Sequence, residues 1–257
     1  MAKRRLGKQE HKFDKRTLMM ARFALPGIRV PERYDFDKNK TPIPLLMWGN
    51  DRWGDCVIAG EANHLLRLER IEQRRTVKMG DDTVVARYKA LSGARSPGDG
   101  NDQGLVVLEA MRDWKNNGWT INGRNYKIAA YGELEPSDRK QLRMAAYALH
   151  GIHLGFSLPA AAQNMAGVWD YNGQLGPQWR PGSWGGHLVF SKSFSSEGLG
   201  ILTWGQKVFV TNEFIEKYCD EAWAIVDNLD SWRVKQTINV PLLMQQLGLI
   251  SSKPVNQ

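Results

Sequence analysis

Residues 48–59 read Trp48-Gly-Asn-Asp-Arg-Trp-Gly-Asp-Cys-Val-Ile-Ala59 and place one of only two cysteines, Cys56, between a turn and the start of a helix. Beyond Cys56, apolar residues recur on one face of the predicted helix, whereas Arg67, Glu69 and Arg70 fall on the face expected to meet water. This pattern predicts a helix that crosses the core of a lobe. We expect the rest of the chain to build a cleft around Cys56.

The local sequence leaves two interpretations of Cys56 open. A thiolate at a helix N-terminus is stabilised by the partial positive charge and the free N–H groups there, which lowers the pKa of the thiol. Gly54 would let an incoming carbonyl group approach both the sulfur and the backbone N–H groups. Alternatively, Cys56 is a small buried apolar residue, which is the usual role of a free cysteine.

A histidine at a suitable separation favours the chemical interpretation. His187 follows Cys56 by 187 − 56 = 131 residues, within the range of roughly 130 to 150 residues known for one class of catalytic Cys–His pairs. It begins a predicted strand after two glycines, where an imidazole can project into a cleft, although an ordinary core histidine is the alternative. His64, His150 and His153 are interpreted as structural.

The order of elements predicts an α+β fold with two lobes. Helical patterns dominate residues 45–150, and alternating strand patterns dominate residues 151–230, which favours an antiparallel sheet over a βαβ arrangement. Before this domain, residues 1–44 are predicted to form a basic N-terminal arm and an extended strap. Residues 231–257 are predicted to be a C-terminal extension.

The positive charge is concentrated in the arm. The chain carries a net charge of +8, and residues 1–22 contribute 8 − 2 = +6 of it through eight Lys and Arg against one Glu and one Asp. Such an arm can contact nucleic acid or an acidic surface by charge alone, but it is more often a solvated tail. No zinc-finger spacing, Walker loop or RNA-binding aromatic pattern is found, and no metal or cofactor is predicted.

Cysteine content and hydropathy bear on the compartment. Two cysteines are too few for a disulfide framework, and no apolar stretch follows the basic start, so we expect a cytoplasmic protein that is not secreted by a recognisable signal. A disulfide between Cys56 and Cys219 is not expected in that environment, and Cys219 is interpreted as buried and structural. No membrane helix is predicted.

Three motifs together resemble the papain-like cysteine peptidase superfamily, of which the chain looks like a divergent member. They are Gly54-Asp55-Cys56-Val57-Ile58-Ala59, Gly186-His187-Leu188-Val189 and Trp204-Gly205, and the resemblance covers roughly residues 45–226. It implies a two-lobed fold with a helical N-terminal lobe, which contains the Cys-bearing central helix, and a C-terminal antiparallel β-sheet lobe. The chain also resembles uncharacterised papain-like proteins of phages and bacteria.

The resemblance implies roles for individual residues. Cys56 would be the nucleophile, His187 its proton acceptor, and Asn50 would stand where the family has the glutamine of its oxyanion hole. Trp204 would shield the histidine from water. The cleft would be lined by residues of the three motifs and two further tryptophans: Trp53, Gly54, Trp184, Gly186 and Trp204. For Trp184 and Trp204, ordinary core or rim packing is an equal alternative.

The third catalytic position departs from the family pattern. The family's Asn falls on Leu202, which cannot accept an imidazole N–H, and Thr203 is the nearest polar candidate. Alternation along a strand should place Thr203 and Trp204 on opposite faces, so the assignment of Thr203 is a hypothesis. A Cys–His dyad without a third member can still react, because the third group only orients the imidazole.

The leading functional hypothesis is a cysteine hydrolase that cleaves an amide, peptide or isopeptide bond in a peptide or protein substrate through Cys56 and His187. The alternative is a catalytically inactive papain-like scaffold, for example a virion-associated phage structural protein or a host-interaction protein, which Leu202 and the basic arm favour. A further hypothesis is that residues 1–44 form a tethered strap over the cleft, as family propeptides do.

Overall fold

A computed structural model describes residues 4–38 and 43–251; residues 1–3, 39–42 and 252–257 of the predicted arm and extension lie outside the described residues. Helices dominate the first half of the described chain and strands the second. The helices are α1 Cys56–Ile71, α2 Asp81–Ser92, α3 Val107–Asn116, α4 Arg139–Ala148, α5 Asn212–Tyr218, α6 Trp232–Thr237 and α7 Val240–Ser251. Within the described residues, none of these helices is both long and apolar enough to cross a bilayer.

In the described part of the chain, nine strands form one sheet and two more form a separate hairpin. The strands are β1 Leu18–Met19, β2 Tyr34–Asp35, β3 Trp119–Ile121, β4 Arg124–Tyr126, β5 Ala130–Leu134, β6 Ile152–Leu158, β7 Val168–Trp169, β8 Gly185–Phe194, β9 Gly198–Thr203, β10 Gln206–Thr211 and β11 Cys219–Val226. The sheet order is β1-β5-β11-β6-β8-β9-β10-β7, with β2 paired to β8 and with β3-β4 as the hairpin. All pairings are antiparallel except β1–β5 and β7–β10.

Two clusters of buried apolar side chains correspond to two lobes. One cluster surrounds α1 and includes side chains of α2 and α3, and the other joins the sheet to α4 and α5. The start of α1 lies against the sheet, with Cys56 beside β8. The predicted α+β fold with an N-terminal helical lobe and a mostly antiparallel sheet is therefore confirmed.

The boundary between the two parts is less clean than the predicted division at residue 150. Strand β5 lies in the predicted helical part, yet it pairs with β11 and β1 in the main sheet. The predicted strap and the predicted C-terminal extension also contact each other. The Leu25 amide donates to the Thr237 carbonyl, and Ala24 pairs with Ile238. Parts of the predicted strap and extension are thus integral to the β lobe.

Strand β6 is buried on both faces. The face opposite Ile152, Leu154, Phe156 and Leu158 carries His153, which is fully buried and whose Nε2 lies 3.0 Å from His64 Nδ1. Burial lowers the pKa of His153 to about 3, so this ring is neutral in the folded protein. Alternation along the strand favours one buried face, but α1 and α3 cover the opposite face as well, through His64 and Trp114.

The outer face of α1 is also covered. Arg67, predicted to meet water, is fully buried, and its guanidinium donates to both carboxylate oxygens of Asp37 at 3.1 and 2.9 Å. Burial lowers the pKa of Arg67, and the charge of Asp37 opposes that shift. Glu69 is likewise buried. The strap supplies the partner that the helix pattern alone could not reveal.

We expect Asp37→Ala to lower the free energy of unfolding by about 3 kcal/mol, because it leaves a buried guanidinium without its bidentate partner. Urea denaturation monitored by tryptophan fluorescence measures the change. Asp230→Ala is the control, because the Asp230 carboxylate is 85% exposed in its pair with Lys235 and should contribute little. Equal, small effects of the two substitutions would contradict the structural role of the Asp37–Arg67 pair.

Candidate active site

Cys56 is the first residue of α1 and is buried, with 1% of its surface exposed. Its Sγ atom accepts a hydrogen bond from the Leu188 backbone N–H at 3.4 Å. Since Leu188 follows His187 directly on β8, the sulfur lies next to the strand residue that carries the candidate base. The fold therefore brings Cys56 against the strand that carries His187, although the two residues are 131 positions apart in the chain.

His187 is held on two sides. Its Nε2 atom lies 2.7 Å from the Thr203 hydroxyl oxygen, and its ring stacks on the Trp204 ring with centroids 4.1 Å apart and an interplanar angle of 12°. Its other nitrogen, Nδ1, is buried and has no hydrogen-bond partner among the described residues. The imidazole is thus oriented through one nitrogen, while the other is available for proton transfer.

The expectation that Thr203 and Trp204 lie on opposite faces is wrong. Both contact His187, because Trp204 has already left the strand. Trp204 and Gly205 form the two-residue loop of the β9–β10 hairpin, with φ angles of 46° and 67°. Two positive φ angles are the signature of a type I′ turn, which reverses the chain within two residues and ends the strand alternation.

In this structure both members of the pair are uncharged. Burial raises the pKa of Cys56 to about 12, although the backbone N–H groups of Leu188 and Gly7 oppose the shift. Burial lowers the pKa of His187 to about 3, and the nearby charge of Arg4 acts in the same direction. The predicted lowering of the thiol pKa by the helix N-terminus does not hold here, because desolvation is the larger effect.

The thiol is covered by the N-terminal arm. Residues 4–9 run between the two lobes and bond to both through their backbone. The arm amides donate to the carbonyls of Asn50, Gly186 and Leu105, and the arm carbonyls accept from the Leu105 amide and the Trp204 indole N–H, all at 2.9 to 3.2 Å. The arm therefore binds in the cleft as an extended segment.

Glycines permit the arm to approach so closely. A methyl group on Gly7 would lie 1.7 Å from the Gly54 carbonyl oxygen, two residues before Cys56. A methyl group on Gly186 would lie 2.1 Å from the Lys8 carbonyl oxygen. Because such separations are far below van der Waals contact, the arm fits only while these positions lack a side chain.

The basic side chains of the arm pair with acidic groups of the domain. Arg5 contacts Asp102, Lys8 contacts Asp220 and Glu221, and Lys12 contacts Glu109, at 2.9 to 3.1 Å. Arg4 lies over the Trp204 ring, 5.1 Å from its centroid. These basic side chains, whose charge is also compatible with nucleic-acid binding, thus contact acidic side chains of the same chain.

The remaining predicted site residues lie around the same cleft. The Asn50 amide nitrogen donates to the Trp53 carbonyl at 3.0 Å, so in this state its side chain closes the turn before α1. Trp53 packs edge-on against Tyr88, and Trp184 lies 5.5 Å from Trp204, ring centroid to centroid. Gly54 and Gly186 contact the arm.

Asp102 is a site residue that sequence reasoning missed. Its fully buried side chain accepts from the Gly54 amide and the Tyr88 hydroxyl, both at 2.8 Å, and pairs with Arg5 of the arm. It thereby anchors the turn before Cys56 and one end of the arm. Its only sequence signal is its place in a loop rich in Gly and Asp, which assigns no partner.

Cys219 does not share these features. It begins β11 and is partly buried, and burial raises its pKa well above the usual value. Both cysteines are free. Cys219 therefore supplies an internal reference for the reactivity of Cys56.

No protein-family model matches the chain, and no curated protein sequence is significantly similar to it. Solved structures are similar in fold. Xylellain, a cysteine protease from Xylella fastidiosa, superposes with a TM-score of 0.67 at 14% identity, over 89% of this chain and 98% of the other. The Carica candamarcensis cysteine protease CMS1MS2, in complex with E-64, gives a TM-score of 0.56 at 12% identity, over 77% of this chain and 100% of the other.

Two other matches widen the range of similar proteins. Procathepsin L 3 of the Tenebrio molitor larval midgut gives a TM-score of 0.56 at 9% identity, over 86% of this chain and 75% of the other. The cysteine protease and lectin-like domains of Cwp84 from Clostridium difficile give 0.58 at 10% identity, over 86% and 55%. At identities this low, the similarity is evidence for the fold alone. Together with the helix that begins at Cys56 and the sheet behind it, they show that the chain has the fold of the papain-like cysteine proteases.

Proposed function

We propose that the protein is a cysteine hydrolase that cleaves an amide, peptide or isopeptide bond, with Cys56 as nucleophile and His187 as proton carrier. The observation that carries this proposal is the arrangement around His187. Thr203 binds one ring nitrogen, Trp204 stacks on the ring, and the neighbouring residue on the strand contacts the Cys56 sulfur. A histidine with only a packing role does not require one ring nitrogen held by a hydroxyl and the other left without a hydrogen-bond partner, on a strand that contacts a thiol.

The proposed mechanism follows from these contacts. With the Nε2 hydrogen donated to the Thr203 hydroxyl, Nδ1 carries the lone pair and can take the Cys56 proton. The thiolate then attacks the substrate carbonyl, and His187 returns the proton to the leaving amine as the C–N bond breaks. Water activated by the same nitrogen hydrolyses the resulting thioester and restores the thiol.

The oxyanion formed during attack needs donors. We assign this role to the Cys56 backbone N–H at the start of α1 and to the Asn50 amide, which in this state donates to the Trp53 carbonyl. Removal of one such donor typically costs about 100- to 1000-fold in rate. Trp204 would keep water from the imidazole.

The substrate class is proposed from the way the arm binds. The cleft holds an extended segment through backbone hydrogen bonds to both lobes, which any peptide can form. A peptide or protein is therefore the proposed substrate, and residues 4–9 of the arm would exclude it until displaced. The arm would thus act as a tethered strap over the cleft.

The alternative is an inactive scaffold, such as a phage virion or host-interaction component. Leu202, at the position of the family's asparagine, is buried in β9 opposite Phe190 and cannot orient His187. The Thr203 contact supplies an orienting hydroxyl in its place, which favours the enzyme.

Peptide hydrolysis tests the two functions. In the full-length Gly7→Ala chain, whose arm cannot seat, we expect cleavage of a mixed peptide library at a rate at least about 100-fold above the Gly7→Ala/Cys56→Ala chain. Mass spectrometry of the products measures it. The scaffold would be favoured by either of two results. One is cleavage that persists after Cys56→Ala, and the other is no cleavage by a folded chain whose Cys56 reacts with iodoacetamide.

We expect Thr203→Val in the Gly7→Ala background to lower the rate of hydrolysis by about tenfold without weakening substrate binding, because the imidazole loses its orienting partner. Thr203→Ser, which keeps the hydroxyl, should restore most of the rate. Values of kcat and KM, determined separately, measure this split. A loss that serine does not restore would assign Thr203 to packing alone.

A further inference from the structure

Lys8 of the arm occupies a deep position in the cleft. Its side chain is 1% exposed, and its ammonium group lies 2.9 Å from Glu221 Oε1 and 3.1 Å from Asp220 Oδ2. Burial alone would lower the pKa of Lys8, but the two carboxylates outweigh it and raise the pKa, so the buried group is charged. The Lys8 side chain is far less exposed than those of Arg5, Lys12 and Arg16, which are 31%, 60% and 53% exposed.

The carboxylates around Lys8 are held by groups other than Lys8. The Trp223 indole N–H donates to Glu221 Oε2 at 2.6 Å, and the Ser157 hydroxyl donates to Asp220 Oδ2 at 2.7 Å. Gly155 forms part of the wall, since a methyl group there would lie 2.5 Å from Glu221 Cγ and 2.8 Å from Lys8 Cδ. The pocket therefore has fixed anionic groups and space for an aliphatic chain.

The pocket lies one residue from the proposed catalytic pair. The amides of Gly7 and Lys8 both donate to the Gly186 carbonyl, and Gly186 precedes His187. These bonds involve backbone atoms only, so an extended peptide of any sequence that replaces the arm can form them. The side chain that it directs toward Glu221 and Asp220 must then satisfy two carboxylates, one of them fully desolvated.

The negative charge continues beyond Lys8. A cavity of about 400 Å³ opens beside the arm, and most of its polar lining is acidic: Glu133, Glu135, Glu216, Asp220 and Glu221. His11 of the arm reaches Glu133 at its edge, with Nε2 3.2 Å from the carboxylate. Among the described residues, no Lys or Arg lines this cavity, although Arg139 pairs with Glu216 from outside it. A second cation close to the first therefore fits better than an acidic or apolar group.

From these contacts we infer that the pocket formed by Glu221, Asp220, Ser157 and Gly155 is a specificity subsite that selects a lysine or arginine side chain of the peptide substrate. Lys8 occupies this subsite in the covered form and imitates the substrate side chain. The inference rests on the proposed function, since a subsite has meaning only beside a reactive Cys56. An apolar or acidic side chain would leave Glu221 buried without a countercharge.

Binding of the arm as a separate peptide tests the pocket without requiring catalysis. A labelled peptide of residues 4–12 is titrated into the full-length Gly7→Ala chain, and its Kd is measured by fluorescence anisotropy. The parent peptide should bind at least about tenfold more tightly than peptides with Met or Glu in place of Lys8, because only lysine neutralises the two carboxylates. Glu221→Gln should reduce the preference to less than about threefold, since it removes the fully desolvated charge.

Two further variants serve as controls for this titration. Glu213→Gln removes one negative charge from the exposed surface of α5 and should leave the preference unchanged. If Gly7→Ala does not fold, the Lys8→Ala chain, whose arm lacks the side chain that fills the pocket, takes its place. Equal binding of the Lys and Met peptides, or a preference that survives Glu221→Gln, would overturn the subsite.

Peptidyl chloromethyl ketones then connect the pocket to Cys56. A lysine is placed in turn at each of three positions before the reactive group, with leucine as reference, and the rate of adduct formation at Cys56 is followed by intact mass. At one position lysine should react at least about tenfold faster, and Glu221→Gln should abolish the difference. If Cys56 reacts with iodoacetamide but lysine gives no advantage at any position, the subsite is contradicted and the proposed function stands. If Cys56 reacts with no reagent, the proposed function is contradicted, and the peptide titration alone decides whether the pocket selects lysine.

Discussion

The full-length Gly7→Ala chain is expected to react with iodoacetamide at Cys56 at least about 100-fold faster than the unmodified chain at pH 7. Two effects add. The methyl group cannot fit 1.7 Å from the Gly54 carbonyl oxygen, so the arm leaves the cleft and the sulfur becomes accessible. Exposure also removes the desolvation that raises the thiol pKa to about 12, so a larger fraction of the thiol is ionised at pH 7.

Gly80→Ala is the matched control for this experiment. A methyl group on Gly80 has no heavy atom within 4 Å, so the substitution should change neither the fold nor the reactivity of Cys56. Peptide mapping separates Cys56 from Cys219, whose rate should not respond to Gly7→Ala. A folded Gly7→Ala chain with unchanged Cys56 reactivity would show that the arm does not protect the thiol.

The second large effect is expected from His187→Ala in the Gly7→Ala background. The rate of Cys56 alkylation at pH 7 should fall by about 100-fold, because the thiolate loses the imidazolium that stabilises it. The rate should then rise with pH as for an ordinary thiol, whereas the rate of the parent variant should level off at a lower pH. Alkylation rates measured from pH 5 to pH 10 give both profiles.

A matched histidine variant supports the interpretation of that loss. His150 is buried, with its Nε2 atom 2.6 Å from the carboxylate of Glu72 just beyond the C-terminal end of α1, and His150→Ala should leave the pH profile of Cys56 unchanged even if it lowers stability. If His187→Ala and His150→Ala gave the same profile, the imidazole of His187 would have no role at the sulfur.

The parts of the site that local sequence predicted are those with local causes. Cys56 follows a turn and begins a helix with an apolar face, and His187 follows two glycines near the start of a strand. About a dozen neighbouring residues are enough to predict each of these two placements. Thr203 is the polar residue nearest the position that the family resemblance assigns to the orienting group, and its hydroxyl contacts His187. The separation of Cys56 and His187 along the chain then supplied the one long-range signal.

The features that sequence missed depend on contacts between distant segments. Nothing in the arm's composition says that its charges meet Asp102, Glu109, Asp220 and Glu221, because those acids come from a loop, a helix and a strand far along the chain. The pKa of Cys56 was misjudged for the same reason, since the helix N-terminus is a local feature and burial by the arm is not.

Backbone conformation accounts for the remaining error at the site. Strand alternation separates Thr203 from Trp204, but it applies only while both residues belong to the strand. The two-residue loop Trp204-Gly205 places a tryptophan at a positive φ angle, which is uncommon for an aromatic residue. A Trp-Gly pair flanked by strand patterns of equal length is the signal that could have indicated this turn.

The central claim is that Cys56 is a nucleophile whose activation the arm suppresses, and the thiolate titration tests it most directly. Absorbance at 240 nm is recorded against pH for the unmodified and Gly7→Ala chains, and the signal of the corresponding Cys56→Ala chain is subtracted from each. We predict an apparent pKa of Cys56 near 12 in the unmodified chain and below about 7.5 in the Gly7→Ala chain. A pKa at or above 9.0 in a folded Gly7→Ala chain with an accessible thiol would contradict the account.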